Sequence, residues 1–391
     1  MSLLKKSELF NERLDRFNKA LCCFGTPDRV PIFPAIEQWA PVYAGVSIIE
    51  AYQKDPRLLV NAFRKAYNDV YIDACYGTGN LIPLKMMNTF GEGIYTVNET
   101  TVQIKGSHGC TMQPEEYPEL IADPEKFILN KVIPRKYSSL AKDDKTTITT
   151  WLKGTVGMVD WFLYDQITKE LIERQLDTPV VQKGATFLPG DLMLDFLRDF
   201  VGVSQDIRRR PEQFHDACEA LLPFTKKLAD LSYFGSKTGG VVFMPLHLPT
   251  YLRPADFEKH YFPFMKATAE HIQGTGKRPM FFCENNWDPY IEIITDLPGN
   301  GTYCYFEHGD LKKNHEILRK AKICMGGGMS AEILKTGTRE QCIDQAKWCL
   351  DNLAPGGGYM FAPDIVLLSK NDVNPENFSA VCKYIHENGV Y

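Results

Sequence analysis

The sequence predicts an α/β protein, a (β/α)8 TIM-type barrel with an inserted antiparallel hairpin and surface helices. Three observations predict it. Short apolar runs alternate with helical stretches of ~10–20 residues, most regularly from Asp191 onward, which is the rhythm of parallel βαβ units. Runs such as Pro279-Met280-Phe281-Phe282-Cys283 are apolar throughout, as strands covered on both faces are. They then break abruptly into polar residues, at the strand ends where such folds keep their chemistry. The count comes to about eight strands, the number that closes a barrel. An open doubly wound sheet is the alternative.

In chain order, residues 4–22 pattern as an amphipathic helix. After the turn Gly25-Thr26-Pro27-Asp28, residues 29–34 read as a first strand that delivers Glu37, Gln38 and Trp39 at its far end. Residues 56–70 place Leu58, Leu59, Phe63 and Tyr67 on one helical face. They lead into a second strand at 71–75, followed by Tyr76-Gly77-Thr78-Gly79-Asn80. Within 86–112, Ile94, Tyr95, Val97, Thr100, Val102 and Ile104 alternate about Asn98-Glu99, the mark of a hairpin. Residues 113–145 read as surface helices and a lid, 147–152 as a strand and 161–176 as a helix. The stretch 86–190 is thus an irregular insertion in one domain spanning 1–391. Beyond it, helices are expected at 191–200, 211–232, 254–273, 339–352 and 375–388, and strands at 240–245, 279–283, 302–306, 322–325 and 358–362.

The candidate site follows from that order. Glu284 and Glu307 stand just past the ends of successive strands with the same parity, so both can face one cavity. Asp310 lies beyond them, and His247 follows the strand at 240–245. Glu284, Glu307 and Asp310 are the expected catalytic acids. Glu37, Trp39, Tyr76, His247 and Trp287 are the expected substrate-binding residues, the aromatic ones suited to a planar ligand. His247, Glu284 and Glu307 could also supply the three ligands of an open zinc site. The plainer alternatives are that each acid caps the next helix or pairs with a lysine, that His247 is structural, and that the aromatics are buried under loops. Gly326-Gly327-Gly328 fits neither nucleotide fingerprint and reads as a tight turn or an anion cradle.

Composition excludes several classes. With a net charge of −5, nothing points to nucleic acid or an anionic membrane surface. No apolar run approaches the ~18 residues of a membrane span, and the charged start of the chain lacks the core of a signal peptide. A cytoplasmic location is expected. The 11 cysteines are scattered without a CxxC pair, which fits reduced thiols rather than a structural zinc ribbon.

Glu12-Arg13, Pro27-Asp28-Arg29-Val30-Pro31, Phe257-Glu258-Lys259, Cys283-Glu284-Asn285-Asn286-Trp287, Asp296-Leu297-Pro298, Phe306-Glu307, Gly326-Gly327 and Gly356-Gly357-Gly358-Tyr359 together resemble the uroporphyrinogen decarboxylase superfamily. The resemblance covers the first ~80 residues and most of the chain beyond 190, and it implies the (β/α)8 barrel independently. True decarboxylases of that superfamily carry an arginine-rich element after the first strand, where this chain has Ala35-Ile36-Glu37-Gln38-Trp39. The methyltransferase branch is therefore the nearer likeness. Its zinc pattern of H-x-C with a distant cysteine is replaced here by Phe282-Cys283-Glu284 and Ala354-Pro355-Gly356-Gly357-Gly358. A carboxylate in place of a thiolate suits activation of an oxygen. The resemblance thus implies an O-demethylase-like methyltransferase, taking methyl from a small, methoxy-aromatic donor to cobalamin. The chain lacks a D-x-H-x-x-G element, so the cobalamin would be carried by a separate corrinoid protein. A homodimer is compatible with the sequence, and a decarboxylating lyase is the alternative activity.

Overall fold

A computed structural model of the chain describes residues 6–80, 82–91, 95–104, 110–235 and 239–391. Its centre is a six-stranded parallel sheet in the order β3 (Gln182–Ala185), β4 (Val241–Leu246), β5 (Arg278–Asn286), β6 (Tyr303–His308), β7 (Cys324–Met329) and β8 (Tyr359–Pro363). Two extended segments, 30–36 and 72–76, join its outer edges. Phe33 N–H donates to Phe361 O at 2.9 Å, Asp73 N–H to Ile32 O at 2.9 Å, and Cys75 N–H to Pro179 O at 2.8 Å. Parallel bridges Ile32–Phe361 and Cys75–Val180 mark the same seams. Pro31 and Pro34 lack the N–H groups that would extend the first pairing into a longer ladder. The arrangement is consistent with a (β/α)8 barrel.

Alternation along the strands separates two cores. Phe33, Ala35, Tyr76, Val241, Phe282, Tyr303, Tyr305, Met360 and Ala362 form one buried cluster, on one face of the sheet. Their neighbours Ile32, Ile36, Cys75, Val242, Cys283, Cys304, Phe306 and Phe361 pack in the larger cluster with the helices. Cys283 therefore points outward, as its place next to Glu284 requires.

Arg16, from the first helix (Glu8–Cys22), ties the two joining segments together. Its guanidinium donates to Asp73 at 2.5 Å and to both Asp28 oxygens at 2.7 and 2.6 Å. Asp73 is wholly buried and also takes Ile32 N–H at 2.8 Å and the Tyr71 hydroxyl at 2.9 Å. The hairpin exists as β1 (Tyr95–Val97) and β2 (Val102–Ile104), with Tyr95 opposite Ile104. Ile94 lies outside the described residues.

Several expected elements differ. The strand at 147–152 and the helix at 161–176 are one helix, Asp144–Gln175. Its threonine-rich start reads as β, yet Asp143 caps it by accepting Thr146 N–H at 3.0 Å, and Thr149 donates back to Lys145 O at 2.8 Å. Tertiary packing overrides propensity here: Gly154 and Gly157 lie so close to Phe90 and to the Met86 backbone that a Cβ would clash. The strand of this region is β3 instead. The helix expected at 191–200 is a short turn with a π segment, Met193–Arg198, and a new helix, Asp199–Arg209, begins at Asp199 with φ +56°. The helix at 254–273 breaks at Tyr261, ahead of Pro263, into Pro254–His260 and Phe262–Gly274. The glycines at 326–328 lie within β7, not in a turn. Gly326 leaves the space that the Tyr303 hydroxyl occupies. Among the described residues no helix is long and apolar enough to cross a membrane.

Candidate active site

β5 and β6 run in register, with Cys283 beside Phe306, so Glu284 and Glu307 leave adjacent strands at the same level and on the inner side. A bulge follows, where Asn285 takes φ +60°. The bulge turns the Asn285 N–H onto Glu307 Oε2 at 2.7 Å. β4, the neighbour of β5, ends one residue before His247. Its Nε2 lies 3.2 Å from Glu284 Oε1. Its Nδ1 lies 2.9 Å from Asp195 Oδ2. The imidazole is thus gripped between two carboxylates. Burial alone would lower its pKa, but Asp195 and Glu284 outweigh burial and raise it to about 11. The ring is therefore an imidazolium at neutral pH, with a proton on each nitrogen.

Asp191 holds the backbone of the same residue. It is fully buried and accepts His247 N–H at 2.8 Å, Leu248 N–H at 2.9 Å and the Tyr261 hydroxyl at 2.5 Å. Burial, with Asp195 nearby, pushes it up to about 7. Asp191 and Asp195 stand four apart, so one helical turn supplies both the anchor for the His247 backbone and the partner for its ring.

The remaining inward groups widen the bowl. Burial raises the Glu307 pKa, with Glu284 and Asp364 adding to it. Burial likewise raises Asp364, whose carboxylate accepts Ala331 N–H at 2.8 Å. Glu37, at the end of the first segment, is pushed up to about 7 by burial against the opposing effect of the Gln38 amide. The buried Tyr76 hydroxyl is within electrostatic reach of Glu37. Tyr76 and both side-chain polar atoms of Asn80 are buried without a hydrogen-bond partner among the described residues. Leaving such groups unpaired costs about 1–3 kcal/mol each, which water or a ligand in the bowl would offset. Tyr95, from the hairpin, lies within electrostatic reach of both Asp195 and Glu37.

Of the expected residues, the structure brings together His247, Glu284 and Glu307, with Glu37 and Tyr76 on the inner side. Trp39 and Trp287 do not join them. Trp39 stacks on Tyr43 at 4.6 Å, and Trp287 packs among Phe257, Tyr290 and Phe306 while donating to Glu284 O at 2.9 Å. Both indoles are wholly buried in the layer between sheet and helices. Asp310 caps the helix Leu311–Lys320, accepting Lys313 N–H at 3.2 Å. The expected zinc trio does not form a metal group. Both His247 nitrogens are taken by carboxylates, Glu307 holds the Asn285 N–H, and no cluster of three or more His, Cys, Asp or Glu suited to a metal occurs among the described residues.

Asp191, Asp195, Asp364, Tyr95 and Asn80 were not anticipated. Asp364 lies two residues past the expected end of its strand, whereas Glu284 and Glu307 lie one past theirs, so the rule that found them passes over it. Asp191 and Asp195 do carry a signal, a pair of acids at helical spacing directly after Leu188-Pro189-Gly190.

The Glu37 shift sets a pH dependence. Its folded-state pKa of about 7 lies above the ordinary 4.5, so the stability it lends is complete below about pH 4.5 and is lost as pH rises through 7. Asp191 acts in the same direction over nearly the same window. The melting temperature should fall between these limits, and Glu37→Gln should flatten part of that slope. An unchanged slope in the variant would show that Glu37 is not a buried acid.

A parallel sheet that gathers carboxylates and a histidine just past its strand ends has the arrangement of an α/β enzyme. The uroporphyrinogen decarboxylase (URO-D) family matches residues 166–388. That is more than half of the chain, and the chain belongs to this family. None of the curated proteins compared with it matches. Among solved structures, it is similar to a methyltransferase from Methanosarcina mazei at 15% identity and TM-score 0.65, covering 96% of this chain and 98% of that one. A B12-independent methionine synthase from Shewanella sp. W3-18-1, in complex with selenomethionine, is more distant at 11% identity and TM-score 0.45, covering 92% and 98%. The first likeness is one of fold, and the second carries no weight beside it.

Proposed function

We propose that the chain is a closed (β/α)8 barrel methyltransferase of the cytoplasm. It moves a methyl group from a small methylated donor, a methoxy-aromatic compound, to cobalamin carried by a separate corrinoid protein. The observation that carries this reading is the His247 ring held between Asp195 and Glu284, 2.9 and 3.2 Å from its two nitrogens. The corrinoid, when its carrier docks at the bowl, supplies the nucleophile for the methyl carbon. The oxygen left behind keeps the electron pair of the broken C–O bond and needs a proton. His247 holds one on Nε2, at the edge of the bowl, and Asp195 keeps the ring in place as that proton leaves. Glu37 and Tyr76 offer hydrogen bonds to the polar substituents of the donor. The fold likeness to the Methanosarcina methyltransferase supports the reaction class.

The family name favours a second reading, a decarboxylating lyase. Against it, the bowl gathers Glu37, Asp195, Glu284, Glu307 and Asp364, while two buried arginines are committed elsewhere, Arg16 to Asp28 and Asp73 and Arg198 to Asp206. A polyacidic macrocycle would meet repulsion there. One assay separates the two. Methylation of free cob(I)alamin by a panel of methoxy-arenes, followed by absorbance, is the expected activity. CO2 release from uroporphyrinogen without methyl transfer would overturn it. Because this reading gives the proton to His247 and no step to a metal, chelation should leave turnover unchanged, and a loss restored by added zinc would contradict it.

A further inference from the structure

The long helix Asp144–Gln175 turns two different faces to its surroundings. Gly154, Gly157, Asp165, Thr168 and Ile172 are buried against the rest of the chain. On the opposite side, Ile148, Leu152, Val156, Val159, Leu163 and Ile167 are each between 51% and 69% exposed. At 100° per residue these six fall within an arc of about 100°, so they form one apolar stripe roughly 29 Å long. Isolated exposed apolar residues need no explanation, but a continuous stripe of this length marks an interface.

The order of residues in the stripe names its occupant. It reads Ile, Leu, Val, Val, Leu, Ile, at spacings of four, four, three, four and four. Type and spacing are the same in both directions. A second copy of the helix laid antiparallel about a two-fold axis between Gly157 and Met158 sets Ile148 against Ile167, Leu152 against Leu163 and Val156 against Val159, and each contact occurs twice. This is the self-complementarity of an isologous interface. The flanking charges obey the same axis, because Lys145 of one copy falls beside Glu170 of the other. Lys145 has no ion pair among the described residues, while Glu170 meets Lys6 and Arg174 within its own chain.

We infer that this stripe is a homodimer interface, with the two long helices packed antiparallel across a two-fold axis. With bordering side chains such as Thr149 and Thr155, both exposed, the pair buries on the order of 1,000 Å² in total, the lower bound for a specific interface. The inference does not depend on the reaction proposed above.

Sedimentation equilibrium on the full chain tests it, together with carbodiimide cross-linking and peptide mass spectrometry. The wild type should be a dimer at micromolar concentration. Val156→Glu combined with Val159→Glu should raise the dimer Kd at least ~100-fold with the helical circular dichroism unchanged, since both positions face solvent in one copy. A zero-length cross-link between Lys145 and Glu170 should form in the dimer. These residues lie roughly 38 Å apart along one helix, so the link can join only two copies. A monomeric wild type, a dimer untouched by the double substitution, or a dimer without that cross-link would overturn the inference.

Discussion

Replacing His247 with Gln should lower the turnover of the methyl donor by about 10²–10⁴-fold, the usual worth of a positioned general acid. The fold should survive, because Asp191 holds this residue through its backbone N–H, which any side chain leaves in place. Two neighbouring substitutions refine the test. Asp195→Asn removes the stronger anchor of the ring charge. It should move the alkaline limb of the rate profile down from near 11 towards neutral pH, with activity retained in acid. Glu284→Gln leaves the Asp195 pair intact and should cost less than His247→Gln. If all three variants kept wild-type rates and pH profiles, the acid–histidine–acid chain would be structural and the chemistry would lie elsewhere in the bowl.

Arg16→Ala should be the most damaging change to stability, at about 3–5 kcal/mol, because removing one partner of a buried ion pair strands the other. Asp73 is wholly buried and Arg16 is 6% exposed, so solvent screens little of the loss. Asp73 would keep Ile32 N–H and the Tyr71 hydroxyl but lose its counter-charge. Arg16→Lys should recover only part of the loss, since a single ammonium cannot reach both Asp28 oxygens and Asp73 as the planar fork does. Denaturant unfolding measures both. A loss below about 1 kcal/mol, the size of an exposed pair, would mean that the first helix does not fasten the two extended segments.

The parallel strands from β4 to β8 were legible because buried parallel strands are apolar from end to end, and little else in a soluble chain looks like that. The same signal failed at β3, whose residues Gln182-Lys183-Gly184-Ala185 are short and mixed. It failed at the start of the long helix, where β-branched residues face solvent while glycines do the packing. Strand parity found Glu284 and Glu307, because alternation is strict for as long as the strand lasts. It also shows why Trp287 leaves the bowl, since this residue lies past the bulge at Asn285, where alternation ends. Asp195 escaped for a different reason. It reaches the site from a helical turn, and its approach to His247 spans 52 positions of chain, a distance no local pattern encodes.

The charge state of His247 tests the central claim most directly. In uniformly 15N-labelled protein, the His247 ring resonances can be assigned by difference against His247→Gln. At about pH 8, well above the ordinary histidine range, both ring nitrogens should show the shifts of a doubly protonated imidazolium held by Asp195 and Glu284. A neutral ring at that pH, or a nitrogen shifted by metal ligation, would contradict the account.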